Sequence, residues 1–293
     1  MKILILITIL LIIYFYYKIN CNYLSSIEQF KVDTKPKKIA FLFLIYDSIN
    51  HEELWYKFLK DVDKNKYNIY IHYKYPKKLK YFEKYKLDNC IETAWGDISL
   101  VYAMNLLLKE AYKDPSNMHF IFVSNSCVPL KKFNHIYNFL DPKFSYFGMM
   151  AKDDMIIPRC IPLSTYIPQQ YIRKASQWCI LNRKHSQLMI EDKDNLIQYF
   201  DYDGCVPDEH YYITFLHYYK LEKELIKTYD MTENFTTFVV WFDLDYKYKK
   251  ETDYNYPKDY TEISTDELNY LLNAPCLFGR KFNKDCELTI DYK

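Results

Sequence analysis

The chain has 293 residues, of which 49% are hydrophobic and 26% are charged, and its 39 basic and 38 acidic residues leave a net charge of +1. This balance excludes the strongly basic surface typical of nucleic-acid-binding proteins. The length and apolar content suit one large α/β domain or two small ones with a sizeable core. The 32 tyrosines are spread along the chain and, with only 4 glycines, indicate an AT-rich coding sequence rather than a surface that stacks on RNA.

An apolar segment near the N-terminus is the first predicted element. The run from Ile3 to Tyr17 is almost entirely apolar or aromatic, and Lys18 follows it. As a helix it would span about 22 Å, against a hydrocarbon core of roughly 30 Å, and interfacial tyrosines and a snorkelling lysine can supply the difference. A cleaved signal peptide is the alternative, although no A-x-A-like cleavage site follows. We therefore expect an uncleaved signal anchor over residues 1–19 and a stem over 20–37.

Apolar strands alternate with amphipathic helices in the first half of the chain. Short β-rich runs cover Lys38 to Tyr46, Tyr67 to Tyr73 and His119 to Asn125. Apolar residues at helical spacing indicate helices within 51–62 and 99–113. Because fully apolar strands separated by helices are typical of parallel sheets, we expect an α/β domain built on a parallel sheet.

The second half of the chain adds elements of both kinds. The predicted strands are 144–150, 175–181 and 235–242, and the predicted helices are 135–140, 183–192, 207–219 and 264–272. The last helix opens with a Ser/Thr cap. No internal repeat and no linker rich in Gly, Pro or Ser interrupts these elements, so one compact domain over residues 38–293 is expected.

Several familiar sites are absent from the sequence. There is no G-x-G-x-x-G, no phosphate-binding lysine loop and no G-x-S-x-G elbow. The strand that leads into V-S-N-S-C-V-P-L carries no D-x-D with which to hold Mn²⁺ or Mg²⁺. Asp201–Asp203 and Asp243–Asp245 do spell D-x-D, but both lie in Tyr- and Lys-rich stretches typical of a surface. No metal site is therefore predicted.

The cysteines and one asparagine bear on the compartment. None of the eight cysteines forms a C-x-x-C pair, which makes a zinc site improbable. Their wide spacing in a chain of the secretory pathway favours a few disulfides, whose pairing the sequence does not give. Asn234 begins the glycosylation sequon N-F-T, which is relevant if the domain is luminal.

The segment C-V-P-D-E-H-Y-Y-I-T-F, from Cys205 to Phe215, allows two interpretations. A proline followed by acidic residues is a common helix start, because carboxylates there meet the positive end of the helix dipole. The alternative is that Asp208, Glu209 and His210 form part of an active site. These residues alone do not decide between the two.

Six short blocks occur in order across nearly all of 38–282. They are Trp95–Ser99, Asp114–Asn117, Val123–Leu130, Arg173–Trp178, Cys205–Tyr211 and Phe278–Phe282. Together they resemble the core-2/I-branching β-1,6-N-acetylglucosaminyltransferase family, in particular its plant-type branch, and the composition would suit a viral or protist member. One block alone is weak, whereas six in register are specific. The chain departs from the family pattern at Ala175 (glycine), Gly279 (alanine) and Asn125 (an acidic residue).

The resemblance implies a fold, a topology and a reaction. The fold would be an α/β, GT-A-type, Rossmann-like glycosyltransferase domain over residues 38–293. The topology would be that of a single-pass type II protein of Golgi or host secretory-pathway membranes, with the domain in the lumen. The reaction would be an inverting transfer from a UDP-sugar to a glycan or glycoprotein acceptor, without a metal or another cofactor.

The resemblance also implies the catalytic base, at the position of Glu209. Inversion requires in-line attack of an acceptor hydroxyl on the anomeric carbon, through an oxocarbenium-like state. One carboxylate beside the hydroxyl can remove its proton as the new bond forms. Asp208 is then interpreted as part of the helix start or as support for the site.

Fixed cations must stabilise the departing UDP if no metal does. The resemblance implies Lys281 for this role, with Arg280 beside it and Lys258 as a second cation, although a solvated lysine is the alternative at each position. Trp95 and Asp97 follow a presumptive strand, where α/β sheets bind ligands, and we predict donor contacts there, with packing as the alternative for Trp95.

The remaining predicted contacts are with the donor nucleotide and with the acceptor glycan. His72 ends the second strand and is predicted to face the uridine. On the acceptor side the resemblance implies Trp241 and Arg159, with Gln177 and Trp178 forming a wall next to the catalytic turn. A tryptophan in the protein core is the alternative for Trp241.

Three functions remain open at this stage. The first is transfer of β-linked GlcNAc, and the second is xylosyltransferase-like transfer on the same fold. The third is a membrane-anchored glycan-binding protein with a degenerate site. The presence of both Glu209 and Lys281 favours an enzyme.

Overall fold

The structure is a computed structural model that describes residues 37–153, 157–229, 236–239 and 257–292. The predicted signal anchor, the stem up to residue 36, Asn234 and Trp241 lie outside the described residues. Within these ranges, none of the helices has the length and apolar character that a membrane crossing requires.

The described domain contains nine strands and six α-helices. In chain order they are β1 (Lys38–Ile45), α1 (Glu52–Leu59), β2 (Tyr67–Tyr73), α2 (Ser99–Tyr112), β3 (Asn117–Ser124), β4 (Val128–Pro129), α3 (Phe133–Phe139), β5 (Ser145–Gly148), β6 (Ile180–Asn182), α4 (Arg183–Glu191), α5 (Tyr211–Tyr218), β7 (Leu225–Thr228), β8 (Thr237–Val239), α6 (Thr265–Asn273) and β9 (Phe278–Arg280).

The main sheet has six strands in the order β2-β1-β3-β6-β5-β7. β1 pairs in parallel with β2 and with β3, and β5 pairs in parallel with β7. β6 runs antiparallel to both of its neighbours, β3 and β5. The mixed sheet with helices confirms the predicted α/β class, whereas the prediction of a wholly parallel sheet was wrong at β6.

The reversal of β6 follows from the segment that precedes it. Between β5 and β6 the described residues form only short 3₁₀ turns, at Pro158–Cys160, Pro162–Thr165 and Gln169–Tyr171. A parallel connection needs a crossover that returns the chain to the opposite edge of the sheet, usually through a helix. Since the described residues of this segment include no such helix, β6 starts near the edge where β5 ends and runs back. The predicted strand 175–181 is accordingly shorter, and only Ile180 and Leu181 of it lie in β6.

Alternate residues of the central strands pack on opposite faces of the sheet, as the strand geometry requires. Phe41 and Phe43 of β1 face α1 and α3. Ala40 and Leu42 belong to the cluster formed with α2, α4 and α5. This two-sided burial is why β1 reads as a continuous apolar run.

A second, three-stranded sheet has the order β4-β9-β8. Phe278 of β9 is fully buried, and its ring stacks on Trp55 of α1 with centroids 6.0 Å apart. Arg280, two residues after Phe278, is the last residue of β9. This sheet therefore fixes the C-terminal F-G-R-K-F block against the first helix of the domain.

The prediction of disulfides is wrong for the described part of the chain. Its seven cysteines are free thiols, and all but Cys90 are buried. Burial raises the pKa of Cys160 to about 12. Small apolar side chains of this kind suit packed cores, and they need no partner to be retained there.

Candidate active site

Glu209 lies on a short 3₁₀ turn, Pro207–Glu209, that is hydrogen-bonded to a neighbouring segment. The Ala175 amide donates to the Glu209 carbonyl oxygen at 2.9 Å. Nδ1 of His210 lies 2.8 Å from the carbonyl oxygen of Arg173, so this nitrogen donates. Burial lowers the pKa of His210 to about 4, and the ring is therefore neutral. His210 holds the turn in place rather than taking part in proton transfer.

The predicted helix over 207–219 is two separate elements. The 3₁₀ turn ends at Glu209, and α5 begins at Tyr211. Val206, just before the turn, has φ +54°, a conformation that β-branched residues rarely adopt. The acidic pair thus precedes the α-helix instead of forming its first turn, so the helix-start interpretation does not account for it.

Two cations converge on one oxygen of Glu209. Lys174 Nζ is 3.3 Å from Oε2, and Arg159 Nη1 is 3.8 Å from the same atom. The Glu209 side chain is 19% exposed, so it is partly shielded and still reachable from solvent. A carboxylate held in this way has the geometry of a proton acceptor with one oxygen anchored.

Asp208, its neighbour, is in a different environment. The side chain is buried, and in the part of the chain that the structure describes its Oδ1 has no hydrogen-bond partner. Burial, with a smaller contribution from the negative charge of Glu209, raises the pKa of Asp208 to about 7, while Arg280 and Arg159 oppose this rise.

Arg280 lies over the Trp178 ring, with its guanidinium carbon 4.8 Å from the ring centroid. Its Nε is buried and has no hydrogen-bond partner among the described residues. Burial lowers the pKa of the guanidinium, although the Asp208 carboxyl acts in the opposite direction. Trp178 is only 6% exposed, so the structure gives it a supporting contact with Arg280 rather than an open face for the acceptor.

Lys281 follows Arg280 and is placed by the backbone on both sides. The Phe282 amide donates to the Ser126 carbonyl oxygen at 3.0 Å, beyond the carboxyl end of β3. The side-chain amide of Asn50 donates to the Phe282 carbonyl oxygen at 2.8 Å. Burial, and then the charge of Arg280, lower the pKa of Lys281. The predicted diphosphate cation therefore lies, half-buried, where α/β sheets bind ligands.

Lys258 is close to Lys281 through the backbone but its side chain is engaged elsewhere. The Tyr260 amide donates to the Lys281 carbonyl oxygen at 2.7 Å. Lys258 Nζ, however, is 2.7 Å from Glu267 Oε1 of α6. In this arrangement the ion pair, and not a phosphate, occupies the ammonium group.

Trp95 is 83% exposed, which is unusual for a tryptophan. Gly96 has φ +71°, and a Cβ placed on it would meet a Val206 methyl group at 3.8 Å. The ring is therefore carried on a turn that adjoins the catalytic segment. The segment before it is irregular and not the strand we predicted. Asp97 Oδ1 accepts from the Ser99 amide at 2.8 Å, so this side chain helps to start α2.

Two of the predicted contacts are not brought into the site. His72 is completely buried, and its Nε2 accepts from the Ile91 amide at 2.9 Å. Burial lowers its pKa to about 4, so the ring is neutral and supports the loop before Trp95 instead of facing a ligand. Gln177 Nε2 contacts Met104 Sδ of α2 at 3.7 Å and not Glu209.

The carboxylates of the described ranges do not form a metal centre. No group of three or more His, Cys, Asp or Glu side chains in these ranges is arranged to hold an ion. Asp201 and Asp203 are exposed. Asp243 and Asp245 lie outside the described residues.

Lys174 is the site residue that sequence reasoning missed. It lies in the R-K-A-S-Q-W block, whose proposed role was to form a wall next to the catalytic turn. Only its 3.3 Å contact with Glu209 shows a specific role. A lysine in a block that matches a family pattern was the available signal, but nothing in the block distinguishes it from a solvated lysine.

Comparisons with known proteins show the family of the chain. A model of the Core-2/I-Branching enzyme family matches residues 39–269. Glycosyltransferase BC10 of Oryza sativa subsp. japonica is 29% identical over 237 residues, and the match covers 69% of this chain and 59% of the rice protein. This chain thus spans about three fifths of the length of that relative.

A solved structure is also similar, at 13% sequence identity and a TM-score of 0.39. It is the crystal structure of a glycosyltransferase involved in the glycosylation of the major capsid of PBCV-1, and the match covers 67% of this chain and 85% of that one. The family model spans most of the present chain, and the protein therefore belongs to the Core-2/I-Branching enzyme family of glycosyltransferases.

Proposed function

We propose that this glycosyltransferase transfers GlcNAc from UDP-GlcNAc to a hydroxyl of a glycan, with inversion to a β-linkage and without a metal ion. The observation that carries the proposal is the position of Glu209, a partly exposed carboxylate with one oxygen anchored by Lys174 and Arg159. Glu209 is supported on a turn fixed by backbone hydrogen bonds, as a base that must meet its substrate in one geometry requires.

In the proposed reaction Glu209 removes the proton of the acceptor hydroxyl. The hydroxyl oxygen forms a bond to the anomeric carbon while the bond from that carbon to the diphosphate oxygen breaks. A carboxylate that accepts the proton during this step is worth about 10²–10⁴-fold in rate. The single carboxylate suffices because the departing UDP is a good leaving group that needs charge stabilisation rather than protonation.

Arg280 and Lys281 are the proposed source of that stabilisation. The two cations are consecutive, and both are half-buried. Charge-assisted hydrogen bonds from such groups strengthen as negative charge develops on the diphosphate, because a shielded site screens them less than water does. The lowered pKa of each shows that burial opposes its charge, and a diphosphate would relieve this cost.

The membrane anchor and the compartment belong to the same proposal. Residues 1–19 would hold the enzyme in a Golgi or host secretory-pathway membrane with residues 38–293 in the lumen. There a UDP-sugar and a glycan or glycoprotein acceptor would both be at hand.

The test is UDP release by the purified full chain with UDP-GlcNAc, UDP-xylose, UDP-galactose and UDP-glucose on mixed glycan acceptors. We expect turnover with UDP-GlcNAc and a loss of at least about 100-fold in Glu209→Gln. Glu110→Gln is the control, because Glu110 also pairs with a lysine, Lys113, but does so on the surface of α2. A preference for UDP-xylose would replace UDP-GlcNAc as the proposed donor. No turnover with any donor would indicate a glycan-binding protein.

A further inference from the structure

Lys174 is held more rigidly than a surface lysine. Its carbonyl oxygen accepts from the Met150 amide at 3.0 Å. The Ser176 amide, two residues on, donates to the Gly148 carbonyl oxygen at 2.7 Å. This segment therefore pairs with the residues that directly follow β5, and the backbone of Lys174 is fixed by that pairing.

The same segment is bonded to the turn that carries Glu209. The residue after Lys174, Ala175, donates its amide hydrogen to the Glu209 carbonyl oxygen at 2.9 Å. Lys174 and Glu209 are thus joined twice, by the backbone and by the 3.3 Å contact of their side chains. The side chains are 20% and 19% exposed, so solvent screens this pair less than it screens an open surface pair.

Arg159 contacts the same oxygen less closely. Its Nη1 is 3.8 Å from Oε2, and its side chain is 42% exposed. It lies on a short 3₁₀ turn, Pro158–Cys160, rather than at a sheet edge. Of the two cations, Lys174 is the one whose backbone is hydrogen-bonded to the residues that follow β5.

We propose that Lys174 is a positioning residue for the proposed reaction: its ammonium group anchors Oε2 of Glu209 and so directs Oε1 to the acceptor hydroxyl. This inference rests on the proposed function of Glu209. Among the contacts of the described residues, no ion pair or hydrogen bond involves Oε1. The proton would pass from the acceptor oxygen to Oε1, while Lys174 keeps its own protons throughout.

Anchoring one oxygen matters because a glutamate side chain has three rotatable bonds, and its free rotamers place the carboxylate at different distances from the substrate. A small misplacement of a reacting group can cost about 100-fold in rate. If the ion pair served stability alone, its removal would lower the melting temperature and leave kcat unchanged.

The experiment compares Lys174→Met, Lys174→Arg and Lys227→Met in the full chain, with kcat, KM for UDP-GlcNAc and melting temperature measured for each. Lys227 is the matched control, because its Nζ is 2.6 Å from Asp153 Oδ2 and its side chain is 16% exposed. We expect Lys174→Met to lower kcat by about 10- to 100-fold with KM nearly unchanged. Lys174→Arg should recover most of the loss, and Lys227→Met should spare kcat.

A double-mutant cycle separates positioning from an independent effect. If Lys174 acts only through Glu209, adding Lys174→Met to Glu209→Gln lowers kcat no further. An equal additional loss in that background would overturn the inference, and so would an unchanged kcat in Lys174→Met beside an impaired Glu209→Gln. A fully active Glu209→Gln would instead refute the proposed function itself. Should Lys174→Met not fold, Lys174→Gln removes the charge and keeps a polar, slightly shorter side chain.

Discussion

Asp208 and Glu209 are consecutive residues whose carboxyl groups lie in opposite electrostatic environments. Oε2 of Glu209 is 3.3 Å from the Lys174 ammonium group. Asp208 is buried, its Oδ1 has no hydrogen-bond partner in the described residues, and its pKa is raised to about 7. One short turn therefore carries a paired carboxylate next to a carboxyl group that favours its neutral form, and the two should respond differently to substitution.

Asp208→Asn should change the pH dependence of stability. The folded pKa of about 7 lies above the unfolded value of roughly 3.9, so between these values the folded state binds more protons than the unfolded state. The contribution of Asp208 to the free energy of unfolding therefore falls as pH rises through this window, by up to about 4 kcal/mol. Asparagine does not ionise and escapes this loss.

The measurement is the melting temperature of parent and Asp208→Asn from pH 4 to pH 8. We expect the melting temperature of the variant to increase relative to that of the parent as pH rises, and to be the higher of the two at pH 8. Turnover should stay far above that of Glu209→Gln, because the base remains. Two parallel curves would mean that Asp208 is ionised in the folded protein.

The central strands could be predicted from sequence because burial on both faces produces a nearly continuous run of apolar residues. The predicted run from Tyr67 to Tyr73 coincides with β2, and the run from Lys38 to Tyr46 exceeds β1 by one residue. The segment 175–179 was predicted as strand for the same reason, since its residues are largely apolar. Of these residues, Ala175 pairs with Met149 through an isolated bridge, a tertiary arrangement that local pattern does not encode.

The site was predictable only where the family pattern marked it. Glu209 and Lys281 were proposed from their blocks, whereas the contact of Lys174 with Glu209 depends on hydrogen bonds between segments distant in the chain. His72 was misassigned because a strand end suggests a ligand site from sequence. Its complete burial and its bond to the Ile91 amide become visible only when the loop after β2 has folded over it.

The proposed enzyme should work in excess EDTA. In the proposed reaction, Arg280 and Lys281 would supply the positive charge that a metal ion otherwise provides at the diphosphate. UDP release from UDP-GlcNAc in EDTA should match that in buffer without chelator. Loss of activity with rescue by Mn²⁺ would contradict this expectation, and would direct attention to Asp243 and Asp245.

Acid should destabilise the domain through its buried histidines. His72, His119, His210 and His217 are buried, and burial lowers the pKa of each to about 4. Since the unfolded value is near 6.5, the unfolded state binds more protons between pH 6.5 and pH 4. The stability from each neutral histidine is complete above pH 6.5 and is lost as pH falls through this window, by roughly 3 kcal/mol per histidine.

His217→Leu tests this cause directly. His217 lies on α5, and for neither of its ring nitrogens is a hydrogen-bond partner found among the described residues. Leucine fills much of the same space without a charge to bury. We expect the free energy of unfolding, measured by urea titration, to fall less steeply with decreasing pH in the variant than in the parent. At pH 4 the variant should be the more stable of the two. An unchanged slope would show that His217 protonates without cost in the folded state.

Lys281→Ala should weaken UDP binding more than it disturbs folding. A charge-assisted hydrogen bond to phosphate is worth about 1.5–3 kcal/mol, which corresponds to a rise of roughly 10- to 150-fold in the Kd for UDP. Lys284→Ala is the matched control, because Lys284 is an exposed lysine three positions further along. Calorimetric titration of each variant with UDP, beside its melting temperature, gives both quantities. If Lys281→Ala binds UDP as tightly as Lys284→Ala does, then the lysine at the end of β9 is not the diphosphate cation and Arg280 alone is left for that role.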